Sequence, residues 1–443
     1  MMMTIALPVL LVMVGLALDG GRAYAVRAKL YSAVDAAVLA AARSVSDGED
    51  AARAAAQKYF NANIGSSYFD STPNLDPIEF RYDSDGLIHI NASASAPMET
   101  MLLNVAGWSE LDVNVNAETI RRPVDLALVI DNTTSLRFGD DGDVTQDVID
   151  RSKDFVARFN ESFDRVSLIS YAFGAENPVP FESHRGFDIA EIRNEIDDFE
   201  FGGNGRPSQY TNASEGMWNA LNQLRTVSDP ASLRVIVIFN DGAPNTFSSE
   251  FEFLDGSTYS GSIRSGDGRS GNPRGLWEPD AIAEQAPSPY YIEGGIHNRL
   301  ASLPLYYNTH DPDEQEFFVI NPDHPIRPVT NFTNGGSNAL YQRVNRVARN
   351  LTEDIAEQAR KEGIYVLTLG LGSRLTEGTG PDNERGEDLL VRMANDPSML
   401  NDSDLADDFK PDQLQGIYCH AVNIDALAPC FEEMLEVIIR LTI

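Results

Sequence analysis

The segment VDLALVIDNTTS, residues 124–135, sets one carboxylate and two hydroxyls, those of Asp131, Thr133 and Ser135, at alternate positions directly after an apolar run. Val124 to Ile130, apolar but for Asp125, reads as a central strand of a parallel sheet buried on both faces. Such sheets present ligand sites beyond the carboxyl ends of their strands. Hard oxygen donors at that edge suit Mg²⁺, Ca²⁺ or Mn²⁺ better than zinc or copper. Taken alone the spacing is weak, because D-x-[ST]-x-[ST] arises by chance in a chain of this length. It equally describes an Asx turn with helix-capping hydroxyls.

Two later segments bear on that choice. Leu233 to Phe239 (LRVIVIF) is a second buried strand, and it runs into Asn240, Asp241 and Gly242, placing another carboxylate at a strand end. Between the two strands Thr211 heads TNASEGMWNALNQL, where Met217, Leu221 and Leu224 fall at helical spacing. The loop GGNGRPSQY, rich in turn formers, delivers that threonine.

Together these residues resemble the von Willebrand factor type A domain and its metal-ion-dependent adhesion site. The family pattern is Asp-x-Ser-x-Ser after the first strand, a lone Thr before a middle helix and Asp-Gly after the fourth strand. The resemblance implies Asp131, Thr133, Ser135, Thr211 and Asp241 as the shell of a divalent cation, Mg²⁺ or else Ca²⁺ or Mn²⁺. It also implies a position for an acidic side chain of a protein partner. Thr133 stands where the family usually has serine; it keeps the hydroxyl and adds a methyl in a tight turn.

The elements that must position these groups follow from pattern. Arg165 to Phe173 is a strand, Val179 to Glu182 a short edge strand, Asp188 to Ile196 a helix, and Ile364 to Leu371 a further buried strand preceded by helical periodicity over Gln342 to Glu362. Residues 121–443 thus read as an α/β domain, a doubly wound and mainly parallel sheet with helices on both faces. Residues 246–340 break the rhythm, being rich in Gly, Ser, Pro, Asn and aromatics without sustained period. They read as an insertion beside the metal site, either specificity-bearing or a mobile decoration.

At the other end, Met1 to Leu18 is apolar apart from Thr4 and stops at Asp19. About 18 such residues is the lower bound for a membrane-spanning helix. A cleaved signal peptide competes, with Ala23, Tyr24 and Ala25 as an A-x-A match, but no basic residue precedes the run, and an uncleaved anchor is favoured. An alanine-rich stretch of high helix propensity extends from Arg22 to Phe60. Residues 15–44 resemble the N-terminal signature of the TadE/TadG-like proteins of tight-adherence (Flp) pilus assembly, on Asp19, Gly21, Arg22, Tyr24, Asp35, Ala36, Ala37 and Leu39. The likeness continues more loosely through residues 76–119, and in the TadG branch a type A domain follows.

That resemblance implies a single-pass protein of the bacterial cytoplasmic membrane, with its C-terminal domain periplasmic or extracellular and pilus or secretion components, or a surface ligand, as partners. The family normally carries a basic leader, whereas here Arg22, Arg27 and Lys29 follow the apolar run, against the positive-inside rule. The triple Met1 to Met3 suggests a truncated start. The expected layout is an anchor and helix over 1–60, a small α+β segment over 61–120 and the type A domain over 121–443.

Composition closes off other classes. The formal charge of -33 disfavours nucleic acid and anionic surfaces. The acidic cluster Asp140, Asp141, Asp143 and Asp147 lacks the spacing of an EF-hand loop and reads as solvated. Cys419 and Cys430, the chain's two cysteines, fit one local disulfide in an oxidising compartment; two buried thiols are the alternative. His89, His184, His297, His310 and His324 show no metal or triad spacing, and no nucleophile elbow or phosphate loop is present, so no enzyme is expected. The function expected is therefore cation-dependent protein binding in a pilus-assembly or adhesion protein. A metal-independent scaffold of the machinery and an adhesin for external ligands are the alternatives.

Overall fold

The computed structural model describes residues 2–45, 48–83, 87–138, 142–202, 210–282, 287–292, 294–331 and 336–442. The side chains of residues 1–9, 11 and 287–290 also lie outside the description. So do most of the loop GGNGRPSQY and, in the acidic cluster, Asp140 and Asp141. Two compact units divide the chain: Met1–Pro123 with Ile439–Ile443, and Val124–Ile438. Residues 1–60 and 61–120, separate in the sequence reading, fold as one unit.

In the first unit, alanine-rich sequence makes one long helix, α1 (Met2–Ser44), followed by α2 (Glu49–Ile64). α2 buries Ala52, Ala56, Phe60 and Ile64, a stripe at four-residue spacing, and α1 buries Val26, Leu30, Ala33, Val34, Ala37 and Ala41. Small residues let the two backbones approach. After β1 (Asn74–Leu75) and β2 (Glu79–Tyr82), the long β3 (Ile88–Glu99) pairs antiparallel with β4 (Glu110–Arg121) from Ile88↔Arg121 to Glu99↔Glu110. Alternation buries Ile88, Ile90, Ala92, Ala94, Ala96 and Met98 on one face of β3. The buried Asp19 carboxylate accepts the N–H groups of Met101, Leu102 and Leu103, each at 2.9 Å, and so holds the β3–β4 connection. Arg22 donates to the Phe69 carbonyl at 2.8 Å and to Asp70 at 3.1 Å. Among the described residues no helix is long and apolar enough to cross a membrane, and the expected Met1–Leu18 span lies largely among the undescribed side chains.

The second unit begins with β5 (Val124–Asp131), buried at every position. In chain order follow α3 (Ser135–Phe138), α4 (Thr145–Val156), β6 (Arg165–Tyr171), β7 (Ala175–Val179), α5 (Ile189–Asp197), α6 (Ala213–Thr226) and β8 (Leu233–Asn240). Then come β9 (Thr246–Glu252), β10 (Thr258–Arg264), β11 (Arg274–Trp277), β12 (Pro287–Ile292), α7 (Ser337–Lys361), β13 (Ile364–Leu371), the short pair β14 (Gly378–Thr379) and β15 (Glu384–Arg385), α8 (Gly386–Ala394), β16 (Tyr418–Ala421) and α9 (Leu427–Thr442). The main sheet runs β16-β13-β8-β5-β6-β7, parallel throughout except for the antiparallel edge strand β7. It is the doubly wound α/β arrangement expected. The edge strand lies at Ala175–Val179 rather than Val179–Glu182; it carries Pro178, which an edge position tolerates, and its ladder with β6 is irregular there.

The described part of the aperiodic stretch 246–340 is built into the core of the second unit. β9 to β12 form an antiparallel sheet in the order β12-β11-β10-β9, and Phe247, Phe251, Ile263 and Leu276 join one core with Met217 and Leu221 of α6 and Val344 and Leu351 of α7. Arg327, from the same stretch, lies in a buried ion network with Glu353, Glu384, Arg349 and Arg392. Burial alone would push the Glu384 carboxyl up; the guanidinium groups of Arg327, Arg392 and Arg349 outweigh it and bring it down to about 2. Cys419 of β16 and Cys430 of α9 are disulfide-bonded, with Cα atoms 5.5 Å apart.

Asp125, the one polar residue inside β5, is fully buried and takes a two-pronged contact from Arg165, Nε at 2.9 Å and Nη2 at 3.2 Å. It also accepts Arg185 Nη1 at 3.2 Å and the Ala231 N–H at 2.6 Å. Asp125→Ala leaves a buried guanidinium without its counter-charge, a change that costs about 3–5 kcal/mol. Equilibrium urea unfolding should show the loss; a midpoint matching wild type would mean that the pair contributes nothing to stability.

Candidate metal centre

The carboxyl edge of the main sheet is where the chemistry collects. β5 ends at Asp131, and its neighbour β8 ends at Asn240, so parallel pairing brings Asp131 and Asp241 to the same edge. The turn after β5 is an Asx turn, with the Thr133 N–H donating to Asp131 Oδ1 at 2.8 Å. It leads into α3 and places the two hydroxyls together, Thr133 Oγ1 and Ser135 Oγ at 2.6 Å. Ser135 Oγ then donates to Asp241 Oδ1 at 2.9 Å. The Asx-turn reading and the convergent-donor reading of the motif thus describe one geometry.

Thr133, Ser135, Thr211 and Asp241 line one cavity of about 340 Å³. Asp131 is fully buried and is not among the lining residues. Thr211 precedes α6 rather than heading it: Asn212 caps the helix, its Oδ1 accepting the Glu215 N–H at 3.3 Å. The Thr211 backbone is fixed on both sides, its N–H donating to Asn245 Oδ1 at 3.0 Å and its carbonyl accepting the Asn245 N–H at 3.1 Å.

Burial pushes the Asp131 carboxyl well above the usual carboxylate range, and the charge of Asp241 adds to the shift. Burial likewise raises Asp241 to about 6, against lowering by the Ser135 hydroxyl and Arg374 and with further raising by Asp267. Among the described residues no basic side chain forms an ion pair with Asp131. A desolvated pair of carboxylates with adjacent hydroxyls fits a hard divalent cation, which would supply a counter-charge to the buried Asp131.

Sequence reading missed Asp267, Arg374 and Asn245, which line this cavity, and the buried cluster of Glu215, Tyr307 and His310 outside its lining. Asp267 and Arg374 are ion-paired with each other. Asn245 donates to Asp267 Oδ1 at 2.7 Å, which ties Asp267 to the Thr211 backbone. Glu215, buried in the first turn of α6, accepts the Tyr307 hydroxyl at 2.9 Å and is bonded to His310 Nε2. His310 stacks on Trp218 at 3.8 Å between ring centroids. Burial lowers the His310 pKa, but the bond to Glu215 outweighs it and leaves the ring above its ordinary value. Tyr307 and His310 come from the aperiodic stretch, so no motif pointed to them; a lone Glu in an amphipathic helix carries no signal of its burial.

With this geometry established, comparison with known proteins places the chain. Residues 126–243 match the family described as von Willebrand factor type A domain, and residues 1–44 match putative Flp pilus-assembly TadE/G-like. The chain carries a TadE/G-like segment and a type A domain. Domains of the latter family are typically non-enzymatic. Comparison with curated proteins found no match.

Among solved structures, the chain is similar to the vWF domain of the type V pili tip protein Mfa5 from Porphyromonas gingivalis, at 15% identity and TM-score 0.39, covering 73% of this chain and 98% of that one. It is similar to the PilB minor pilin from Streptococcus sanguinis at 13% identity and TM-score 0.39, covering 85% and 80%. It is also similar to proximal thread matrix protein 1 from the mussel byssus, with a zinc-occupied MIDAS motif, at 13% identity and TM-score 0.35, covering 72% and 46%. At these scores the likenesses are loose.

The raised Asp241 group has a measurable signature in metal-free type A domain. A carboxyl whose folded pKa lies above its unfolded value contributes stability that is complete below the unfolded pKa, near 3.8, and is lost as pH rises through about 6. In chelator, Asp241→Asn should therefore gain stability over wild type as pH rises from 4 to 7, on the order of 2 kcal/mol by the end of that range. Denaturant midpoints of both proteins at each pH test this, and a difference independent of pH contradicts it.

Proposed function

We propose that the chain is a TadG-like cell-envelope component of pilus assembly or adhesion, held in the cytoplasmic membrane by its N-terminal helix. Its type A domain binds a protein partner outside that membrane in a divalent-cation-dependent manner. The observation that carries the reading is convergence: donors from the turn after β5, the segment before α6 and the residue after β8 meet at one cavity. The Ser135 and Thr133 hydroxyls, with Asp131 directly or through water, would hold Mg²⁺, Ca²⁺ or Mn²⁺, and Thr211 and Asp241 would complete or orient the set. The cation would supply a Lewis-acidic position for a partner's carboxylate. The chain's part is to hold the donors. The Asx turn fixes Thr133, the hydrogen-bond chain through Ser135 fixes Asp241, and Asn245 fixes the Thr211 backbone.

Asp131→Ala should abolish Mg²⁺ and Mn²⁺ binding in calorimetric titration while the protein keeps its circular dichroism spectrum, since removal of a buried charge relieves repulsion with Asp241. Unchanged affinity in a folded variant would reject the assignment of the metal to Asp131; weak or absent Mg²⁺ binding by wild type with intact assembly would favour a metal-independent scaffold.

Location outside the cytoplasm carries its own expectation. In protein taken from the cell envelope, Cys419 and Cys430 should resist alkylation until reduced. Mass spectrometry that finds both thiols alkylated without reductant would place the domain in a reducing compartment.

A further inference from the structure

We infer that Arg374 is the group that recognises the partner's carboxylate beside the metal centre, and that Asp267 is an internal competitor holding Arg374 until a partner displaces it. The inference rests on the cation-dependent reading above and names the chemistry of its ligand, an Asp or Glu side chain of a protein.

Among the described residues lining the cavity, Arg374 is the one basic side chain, and the carboxylates are Asp241 and Asp267. Its position is set by the fold: β13 ends at Leu371, and Arg374 follows in the short helical turn Ser373–Thr376, at the same carboxyl edge as Asp241. Asp267 reaches the cavity from the connection between β10 and β11, so the stretch that interrupts the sheet pattern supplies the competitor. Asp267 is held for this role from its other side, where Oδ1 accepts Asn245 Nδ2 at 2.7 Å and its carbonyl accepts the Gly380 N–H at 2.7 Å.

The pair is exchangeable on physical grounds. The Arg374 and Asp267 side chains are 42% and 33% exposed, and ion pairs at such sites contribute about 0–1 kcal/mol. A guanidinium offers five donors in a planar fork matched to a carboxylate. A partner carboxylate could give one oxygen to the cation and the other to Arg374, an arrangement stronger than either contact alone. Phe138, 74% exposed, and Tyr210 line the same cavity and offer apolar surface to the residue next to the acid.

The two residues should act in opposite directions on two ligands. Arg374 opposes the cation and attracts the carboxylate; Asp267 attracts the cation and competes with the carboxylate. The test uses the full chain, with Mn²⁺ titrated first and a blocked Gly-Asp-Phe-Gly peptide titrated at saturating Mn²⁺. The blocked Gly-Asn-Phe-Gly peptide is the control. Asp267→Asn should tighten peptide binding about fivefold and weaken Mn²⁺ by a few-fold, while Arg374→Gln should weaken the peptide about tenfold or more and tighten Mn²⁺. Arg374→Lys, which keeps charge without the fork, should fall between Arg374→Gln and wild type for the peptide.

Peptide affinities that move together in Asp267→Asn and Arg374→Gln, or do not move, overturn the inference. So does Mn²⁺ binding by wild type with no preference for the Asp over the Asn peptide, and in that outcome the metal site itself stands. Absence of Mn²⁺ binding by wild type removes the metal reading and this inference with it.

Discussion

The register of one parallel ladder underlies most of what this chain can do. β5 lies between β6 and β8, with Asp125 opposite Arg165 at one end and Asp131 opposite Tyr171 at the other. Both ends carry a polar contact across that pairing: the buried Asp125–Arg165 ion pair, and the Tyr171 hydroxyl, 3.4 Å from Asp131 Oδ2 and 3.0 Å from the Phe239 carbonyl. A slip of one residue would turn every side chain of β5 to the opposite face, leaving Asp125 without its guanidinium and moving Asp131 away from the Asp241 edge. The ion pair at the amino end thus opposes that slip, while at the carboxyl end no basic side chain among the described residues pairs with the buried Asp131.

The stretch between β8 and α7 extends this logic. A type A sheet needs only a helical crossover between β8 and β13; here a second, antiparallel sheet is placed in that connection and shares the core of α6 and α7. It bears on the site at two points. Asn245, at its start, bonds both faces of the Thr211 backbone and the Asp267 carboxylate, and Tyr307 and His310, near its end, grip Glu215 one turn after Thr211. Any movement of the added sheet would thus be felt at the threonine and at the cavity wall.

In the first unit the residues that carry the TadE/G resemblance have structural work of a plain kind. The Asp19 carboxylate satisfies three consecutive backbone N–H groups of the β3–β4 connection, and Arg22 ties α1 to the Phe69 carbonyl and Asp70. A buried carboxylate is tolerated because each backbone donor offsets part of its desolvation, so the acidic residue that ends the apolar run is fixed in place by the segment it caps.

Local pattern was enough for the central strands and for the strand ends that carry Asp131, Thr133, Ser135 and Asp241, because each depends on short-range physics; the cation shell that joins them to Thr211 came from the family resemblance. Continuous apolar runs such as LRVIVIF, short and rich in β-branched residues, read as central strands, and Asp131, Thr133, Ser135 and Asp241 sit where such strands end. The Cys419–Cys430 pairing was legible for a similar reason, since two isolated cysteines so close in sequence have few geometries available. What only the tertiary structure decided are the features whose partners lie far apart in the chain. Arg374 and Asp267 meet across 107 positions, Glu215 and His310 across 95, and Asp125 takes its counter-charge from Arg165 across 40. The added sheet was illegible because its strands are short and mix Ser, Gly and aromatics on both faces; burial of Phe247, Phe251 and Leu276 arises only once α6 and α7 are there to pack against. Periodicity reports which face of an element is apolar, whereas contacts between polar groups distant in sequence are set by the packing of those faces.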